Sequence, residues 1–321
     1  MNLSILDRIR LKDGTDKFKY DFREMGQQQR EKAIELINEE GLLHATLFVL
    51  IPEIDFLNLY GSLNSRNHMA LQLIAKILMD KKMESKVGAI LAENSQEVVS
   101  TLRWMLNTGA IDDGLNDKFD KVLDCTAALL IRQHNDKSVL QVIAKIIFKR
   151  NRNGHFIHDL VWTFFKAHEP NSLNFIADYI QSPKQKDAEL ACMLLNLNMS
   201  ADKQKQYDSY IAWLSENDSF LYFTDQNFQS TSHPDPCGVH LEGKYLNKSI
   251  SLQNGKMLEP LSENEQICSN GFNESDQRVK IILSKYSKKL HDHDLNLWSK
   301  WLQFPTSKQL IVANNGLGGL Q

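Results

Sequence analysis

A nine-residue segment that occurs twice constrains this chain more than any other feature of its sequence. Leu71–Met79 reads LQLIAKILM, and Leu140–Phe148, 69 residues further on, reads LQVIAKIIF. Six of the nine positions are identical, including a Gln and a Lys that lie four residues apart. Apolar residues on most sides with one narrow polar stripe predict a helix packed between neighbours. We therefore expect related helical units.

The composition favours helices over a β-sandwich or barrel. The 321 residues include only 15 Gly and 7 Pro, with 42% hydrophobic and 24% charged residues. Such a balance is ordinary for a folded globular protein. The formal net charge of −3 gives no whole-chain reason to expect nucleic acid or an anionic membrane as partner.

Several features predict a soluble cytoplasmic protein. The four cysteines are widely spaced, which argues against a disulfide framework and favours a reducing compartment. The first residues, MNLSILDRIRLKDG, interrupt their apolar run with Asp7 and Arg8, so we expect no signal-peptide core. No run approaches the roughly 18 apolar residues of a membrane-spanning helix. Membrane association is therefore not expected.

Changes in pattern along the chain predict four segments. Residues 1–23 are mixed and charged, and they suggest a lead-in helix and a loop. Helical periodicity joined by short loops predicts a helical repeat domain over 24–216. Residues 217–273 predict an acidic, irregular or small β-containing module, with Asn254-Gly255 as a hairpin turn. Helices return over 274–321, where the tail NNGLGGLQ is expected to fray.

The spacing of the repeated units suggests a family. The two copies suit units of about 35 residues, and DAELACMLLNL, matched through Ala191, would be a third and degenerate copy. The tetratricopeptide consensus is not found. Residues 66–215 resemble irregular HEAT-like or armadillo-like α-solenoid repeats, which implies antiparallel helix pairs and a concave binding surface. An irregular helical bundle with a chance internal match is the alternative fold.

The polar stripe of the repeat gives the candidate binding residues. Gln72 and Lys76 in one copy correspond to Gln141 and Lys145 in the other, and Lys149 extends the second stripe. In a solenoid, equivalent positions on successive units would form a ladder along the concave face. The alternative is that each stripe is simply the solvent side of its helix. The ladder predicts a non-catalytic scaffold or adaptor that binds a protein or peptide.

One loop carries residue types that can bind zinc. His233, Cys237 and His240 lie in HPDPCGVH, and Cys268 is a candidate fourth ligand. Zinc prefers three or four convergent Cys and His ligands, but paired Cys-x2-Cys spacing is absent. Incidental histidines and cysteines in a loop are the alternative. No other cofactor is predicted.

Two further functional classes stay open. Some HEAT-like solenoids are DNA-repair glycosylases with a basic concave face, and Lys145, Lys149, Arg150 and Arg152 cluster locally here. Basic residues at helix ends are also explained by the helix dipole. No phosphate-binding loop or nucleophile motif occurs. An enzyme assembled from distant residues remains an alternative, because catalytic groups are recognised by geometry.

Overall fold

The computed structural model describes residues 3–88, 96–227, 231 and 234–318. Contacts divide the chain into two compact units, Met1–Ala167 (unit 1) and His168–Gln321 (unit 2). This division falls within the segment 24–216, and the four-segment organisation remains a prediction. Both units consist mainly of helices, which confirms the mainly α fold class. In the described residues, no helix is both long enough and apolar enough to cross a membrane.

Unit 1 is built from helices joined by short connections. The α-helices are α1 Ile5–Asp13, α2 Thr15–Gln28, α3 Arg30–Ile37, α4 His44–Val49, α5 Ile51–Phe56, α6 Ser65–Leu78, α7 Lys81–Val87, α8 Gln96–Gly109, α9 Asp117–Arg132, α10 Leu140–Asn153 and α11 His158–Phe165. Side chains that cap backbone N–H groups start several of them. Asn64 caps α6 and Asn116 caps α9 in this way.

Helices α1 and α2 contribute to the folded core of unit 1. The sequence predicts a loop after the lead-in helix, and that prediction is wrong. Gly14, at φ 81°, separates α1 from α2 and does not start a loop. Leu6 and Phe18 are both 1% exposed, so these helices pack as firmly as later ones. The Ser4 capping box with Asp7 starts α1.

Both copies of the repeat are helical, as predicted. The first copy lies in α6 and ends at its C-cap Met79, and the second lies in α10; Ile74, Ala75, Ile143 and Ala144 are at most 1% exposed. Their surroundings differ, because α6 packs against α7, α8 and α9 whereas α10 packs against α11. Unit 1 also contains a contact between α4 and α8, which lie far apart in sequence. The regular pairing of a HEAT-like solenoid therefore stays a prediction.

Unit 2 combines helices with a small antiparallel sheet. Its elements are α12 Leu173–Ala177, α13 Gln185–Leu194, α14 Lys203–Asn217, β1 Leu221–Phe223, β2 Cys237–Val239, α15 Leu241–Leu246, α16 Glu263–Asn273, α17 Gln277–His293, α18 Leu295–Leu302 and α19 Thr306–Gly318. In the sheet, Leu221 pairs with Val239 and Phe223 pairs with Cys237. The core of its later helices combines aliphatic and aromatic residues, and in it Tyr245 stacks on Phe272 at 4.5 Å between ring centroids.

Residues 217–273 are only partly the module that the sequence predicts. The two-stranded sheet is present, and Gly255 at φ 68° lies in a turn flanked by an isolated bridge between Ile250 and Met257. The segment also contains α15 and α16, which the sequence does not predict. A capping box of Ser262 and Glu265 starts α16. Phe272 and Cys268 of this helix pack into the core of the later helices of unit 2.

Candidate binding groove

The two repeated glutamines lie in different environments. The Nε2 of Gln72 donates a hydrogen bond to the Val87 carbonyl at 2.8 Å, at the end of α7. Gln72 therefore fastens one helix to the next. Its counterpart Gln141, in the first turn of α10, is exposed. Identical residues thus have different structural roles in the two copies.

The three predicted lysines also separate. Lys76 and Lys145 are both exposed on their helices. The Nζ of Lys149 instead donates to the carbonyls of Ile111 at 3.1 Å and Asp113 at 2.9 Å. Lys149 therefore holds the connection that follows α8. Of the five predicted binding residues, Lys76 lines a well-formed groove in the described part of unit 1.

This groove lies between α6, α8 and α9 and has a volume of about 580 Å³. We call it the α6–α8–α9 groove. Each helix contributes residues spaced three or four positions apart. Residues with this spacing lie on the same face of a helix. The lining comprises Leu73, Lys76, Ile77 and Met79 from α6 and its C-cap, Val98 and Leu102 from α8, and Cys125, Ala128, Leu129, Arg132, Gln133 and His134 from α9 and the turn after it.

The floor of the groove is apolar, and some of the side chains that form it are small. Val98 and Leu102 are 3% and 1% exposed, so they close the groove at its base. Cys125 and Ala128 on α9 are small, which leaves space where larger side chains would meet α6. Volumes of roughly 300–1,000 Å³ are typical of ligand-binding pockets. The groove is therefore large enough to take side chains from a partner.

The rim of the groove is basic. Lys76 projects from α6 and Arg132 from the last turn of α9, and none of the twelve described lining residues is acidic. The Arg132 guanidinium lies 4.9 Å from the ring centroid of Trp162 on α11. This cation–π contact holds the arginine in place while its residue stays exposed. The groove thus combines an apolar floor with two exposed basic residues, of which Arg132 is held by Trp162.

Cys125 is the one thiol among the described lining residues, and its surroundings do not activate it as a nucleophile. Burial raises the pKa of this thiol, and the neighbouring Asp124 raises it further. The nucleophilic form of cysteine is the thiolate, which such surroundings suppress at neutral pH. The half-buried side chain therefore contributes apolar surface to the floor.

Arg150, part of the predicted basic cluster, is buried in ion pairs. Its side chain is 4% exposed and lies 2.7 Å from Asp113 Oδ1 and 2.9 Å from Asp124 Oδ1. Burial raises the pKa of Asp124, and the arginine offsets part of that effect. Together with the Lys149 contacts, this arrangement satisfies two of the four clustered cations within the fold. They are not presented to a phosphate backbone.

The predicted zinc ligands are engaged elsewhere or lie outside the described residues. His233 is outside them. The Nδ1 of His240 accepts a hydrogen bond from the Gly243 N–H at 2.8 Å and caps α15, while Cys268 Sγ donates to the Leu302 carbonyl at 3.2 Å. Burial raises the pKa of the Cys237 thiol to about 12. Across the described residues, no group of three or more His, Cys, Asp or Glu side chains could hold a metal ion.

Sequence reasoning does not find Arg132 or the groove itself. Arg132 looks like an ordinary basic residue in the last turn of a helix, and Trp162, 30 residues later, looks like a core residue between apolar neighbours. Their contact depends on how α9 and α11 pack. The small side chains of Cys125 and Ala128 indicate a groove only when the helices that pack beside α9 are known.

No protein-family model matches the chain, and no curated protein or solved structure matches it either. The resemblance of residues 66–215 to HEAT-like repeats remains a prediction. What the chain binds must therefore be inferred from the groove.

Proposed function

We propose that this protein is a non-catalytic binding module that takes an acidic amphipathic helix of a partner protein in the α6–α8–α9 groove. One observation carries the proposal: an apolar groove has a basic rim and no acidic residue among its described lining positions. An amphipathic helix places apolar side chains on one stripe and charges beside it. Acidic flanks would complement Lys76 and Arg132.

The shape of the groove supports a helical partner. Helix-in-groove recognition uses apolar anchors at i, i+3, i+4 and i+7, which enter a hydrophobic cleft between helices. The three stripes of the groove provide such a cleft. Met79, at the end of α6, is 83% exposed and its flexible thioether can adapt to different apolar anchors.

Charge supplies specificity in this arrangement. Complementary charges at an interface rim steer association and disfavour partners of the wrong sign. A basic amphipathic helix would place its cations against Lys76 and Arg132, and the same apolar contacts would then be offset by repulsion. We also propose a cytoplasmic, scaffold-type role, in which the free thiols Cys125, Cys192, Cys237 and Cys268 suit a reducing compartment.

The test uses a synthetic helical peptide of about 15 residues, with leucines on one stripe and glutamates on its flanks. Fluorescence anisotropy should detect saturable binding to the wild-type protein. Lys76→Glu and Arg132→Glu should each raise Kd about 5-fold, close to 1 kcal/mol for one rim charge. Lys145→Glu is the matched control, because it reverses an exposed lysine in the second copy of the repeat.

Three outcomes would contradict the groove proposal. One is equal affinity for a peptide with lysine in place of glutamate. Another is an equal loss of binding for Lys76→Glu and Lys145→Glu, which would favour the ladder along the repeated helices. The third is a clear shift of labelled DNA or RNA at about 0.15 M salt that is lost in lysine-to-alanine variants, because that result would favour nucleic acid.

A further inference from the structure

Unit 2 contains a cavity that the proposed function does not use. It has a volume of about 700 Å³ and lies between the end of α13, α14 and the residues that lead into β2. Leu194 and Leu195 form part of its apolar wall and are 1% and 8% exposed. Pro236 closes another side. The cavity is thus of ligand-binding size and mostly apolar.

An aromatic platform forms one wall of this cavity. The rings of Tyr210 and Trp213 on α14 stack with centroids 5.5 Å apart and planes 29° apart. Trp213 is 38% exposed, whereas Tyr210 is 5% exposed. Aromatic rings in such offset geometry extend readily to a further ring. The platform therefore favours a planar ligand.

Tyr210 adds a hydroxyl to this wall. The residue is 5% exposed and lines the cavity. Burial raises the pKa of Tyr210, and the neighbouring Cys237 raises it further, so the phenol stays neutral and can donate. A polar atom of a ligand in the cavity would be able to accept a hydrogen bond from this hydroxyl.

The charges at the cavity balance each other. Lys205 on α14 and Asp235 both line it, and both residues are exposed. A ligand with a net charge would gain from one and be repelled by the other. The cavity therefore favours a ligand without net charge.

We infer that this cavity binds a neutral, planar aromatic small molecule whose polar substituent hydrogen-bonds the Tyr210 hydroxyl. The ring lies against Trp213 and the leucine wall. The inference is independent of the groove in unit 1, so either can fail without the other.

The probes are indole, its monohydroxylated isomers and a linear alcohol of similar size. Labelling with fluorotryptophan gives one fluorine resonance for each of the 5 tryptophans, and Trp213→Phe identifies that of Trp213. We expect the hydroxylated isomers to shift the Trp213 resonance saturably. The best isomer should bind about 5-fold more tightly than indole, which is the usual effect of one hydrogen bond.

Tyr210→Phe separates the hydrogen bond from packing, because it removes only the hydroxyl and keeps the aromatic ring. In this variant the ratio of the Kd of indole to the Kd of the best hydroxylated isomer should fall towards one. The Kd of indole itself should not change. The inference is overturned if no probe shifts the Trp213 resonance, if the linear alcohol binds as tightly as the best isomer, or if Tyr210→Phe keeps the full preference. A circular dichroism spectrum equal to that of the wild type confirms that the variant is folded.

Discussion

At the scale of single residues, His44 is the most unusual side chain of unit 1. It is fully buried, with its ring centroid 5.1 Å from that of Phe119 and 5.7 Å from that of Trp104. Among the described residues, neither ring nitrogen has a hydrogen-bond partner of normal geometry. Burial lowers the pKa of His44 to about 3, and the nearby Met105 backbone offsets only a little of this. The imidazole is therefore neutral in the folded protein.

His44 should make the protein less stable in mild acid. Below a pH of about 6.5 the unfolded chain binds a proton at this position, whereas the folded chain does not until about pH 3. The stability of the wild type relative to His44→Phe should therefore fall by about 3 kcal/mol between pH 6.5 and pH 4. Urea denaturation across this range measures the difference. A difference that does not change with pH would show that His44 titrates normally in the fold.

At the scale of elements, the repeat correctly predicts two helices. It does not predict the partners of their polar side chains. Both copies place Ile and Ala in the core, because the apolar pattern fixes which side of a helix is buried. The polar positions follow no such rule. Gln72 bonds to the end of α7, while Lys149 bonds to a connection 36 residues earlier. Such long-range partners have no local signature in the sequence.

The ion pairs of Arg150 should be the most important polar contacts of α10. Arg150→Met would leave Asp113, whose side chain is 1% exposed, as a buried charge without its partner. Loss of one member of a buried pair costs about 3–5 kcal/mol. Lys145 on the same helix is exposed, so Lys145→Met should change the free energy of unfolding by less than about 0.5 kcal/mol. Equal unfolding midpoints for the two variants in urea would refute the structural role of Arg150.

At the scale of the whole molecule, composition and periodicity predict a mainly helical protein. They do not predict the division into units after Ala167, because a boundary between packed units depends on contacts distant in sequence. The aromatic core of unit 2 is hidden for the same reason. Tyr245, Phe272 and Trp301 come from three helices, two of them within the segment that looked irregular and one beyond it. The groove is not predictable from the sequence for the same reason, because residues of three different helices line it.

The central claim is that the α6–α8–α9 groove binds an acidic amphipathic helix, and methyl NMR tests it most directly. Met79 lies at the rim and is 83% exposed, whereas Met105 in the same unit is fully buried. Carbon-labelled methionine methyl groups report on all 9 methionines at once, and Met79→Leu identifies the rim signal. Titration with the acidic peptide should shift the Met79 resonance saturably and leave Met105 unchanged. Binding that leaves the Met79 resonance in place, or that shifts Met193 or Met199 of unit 2 instead, would contradict the claim.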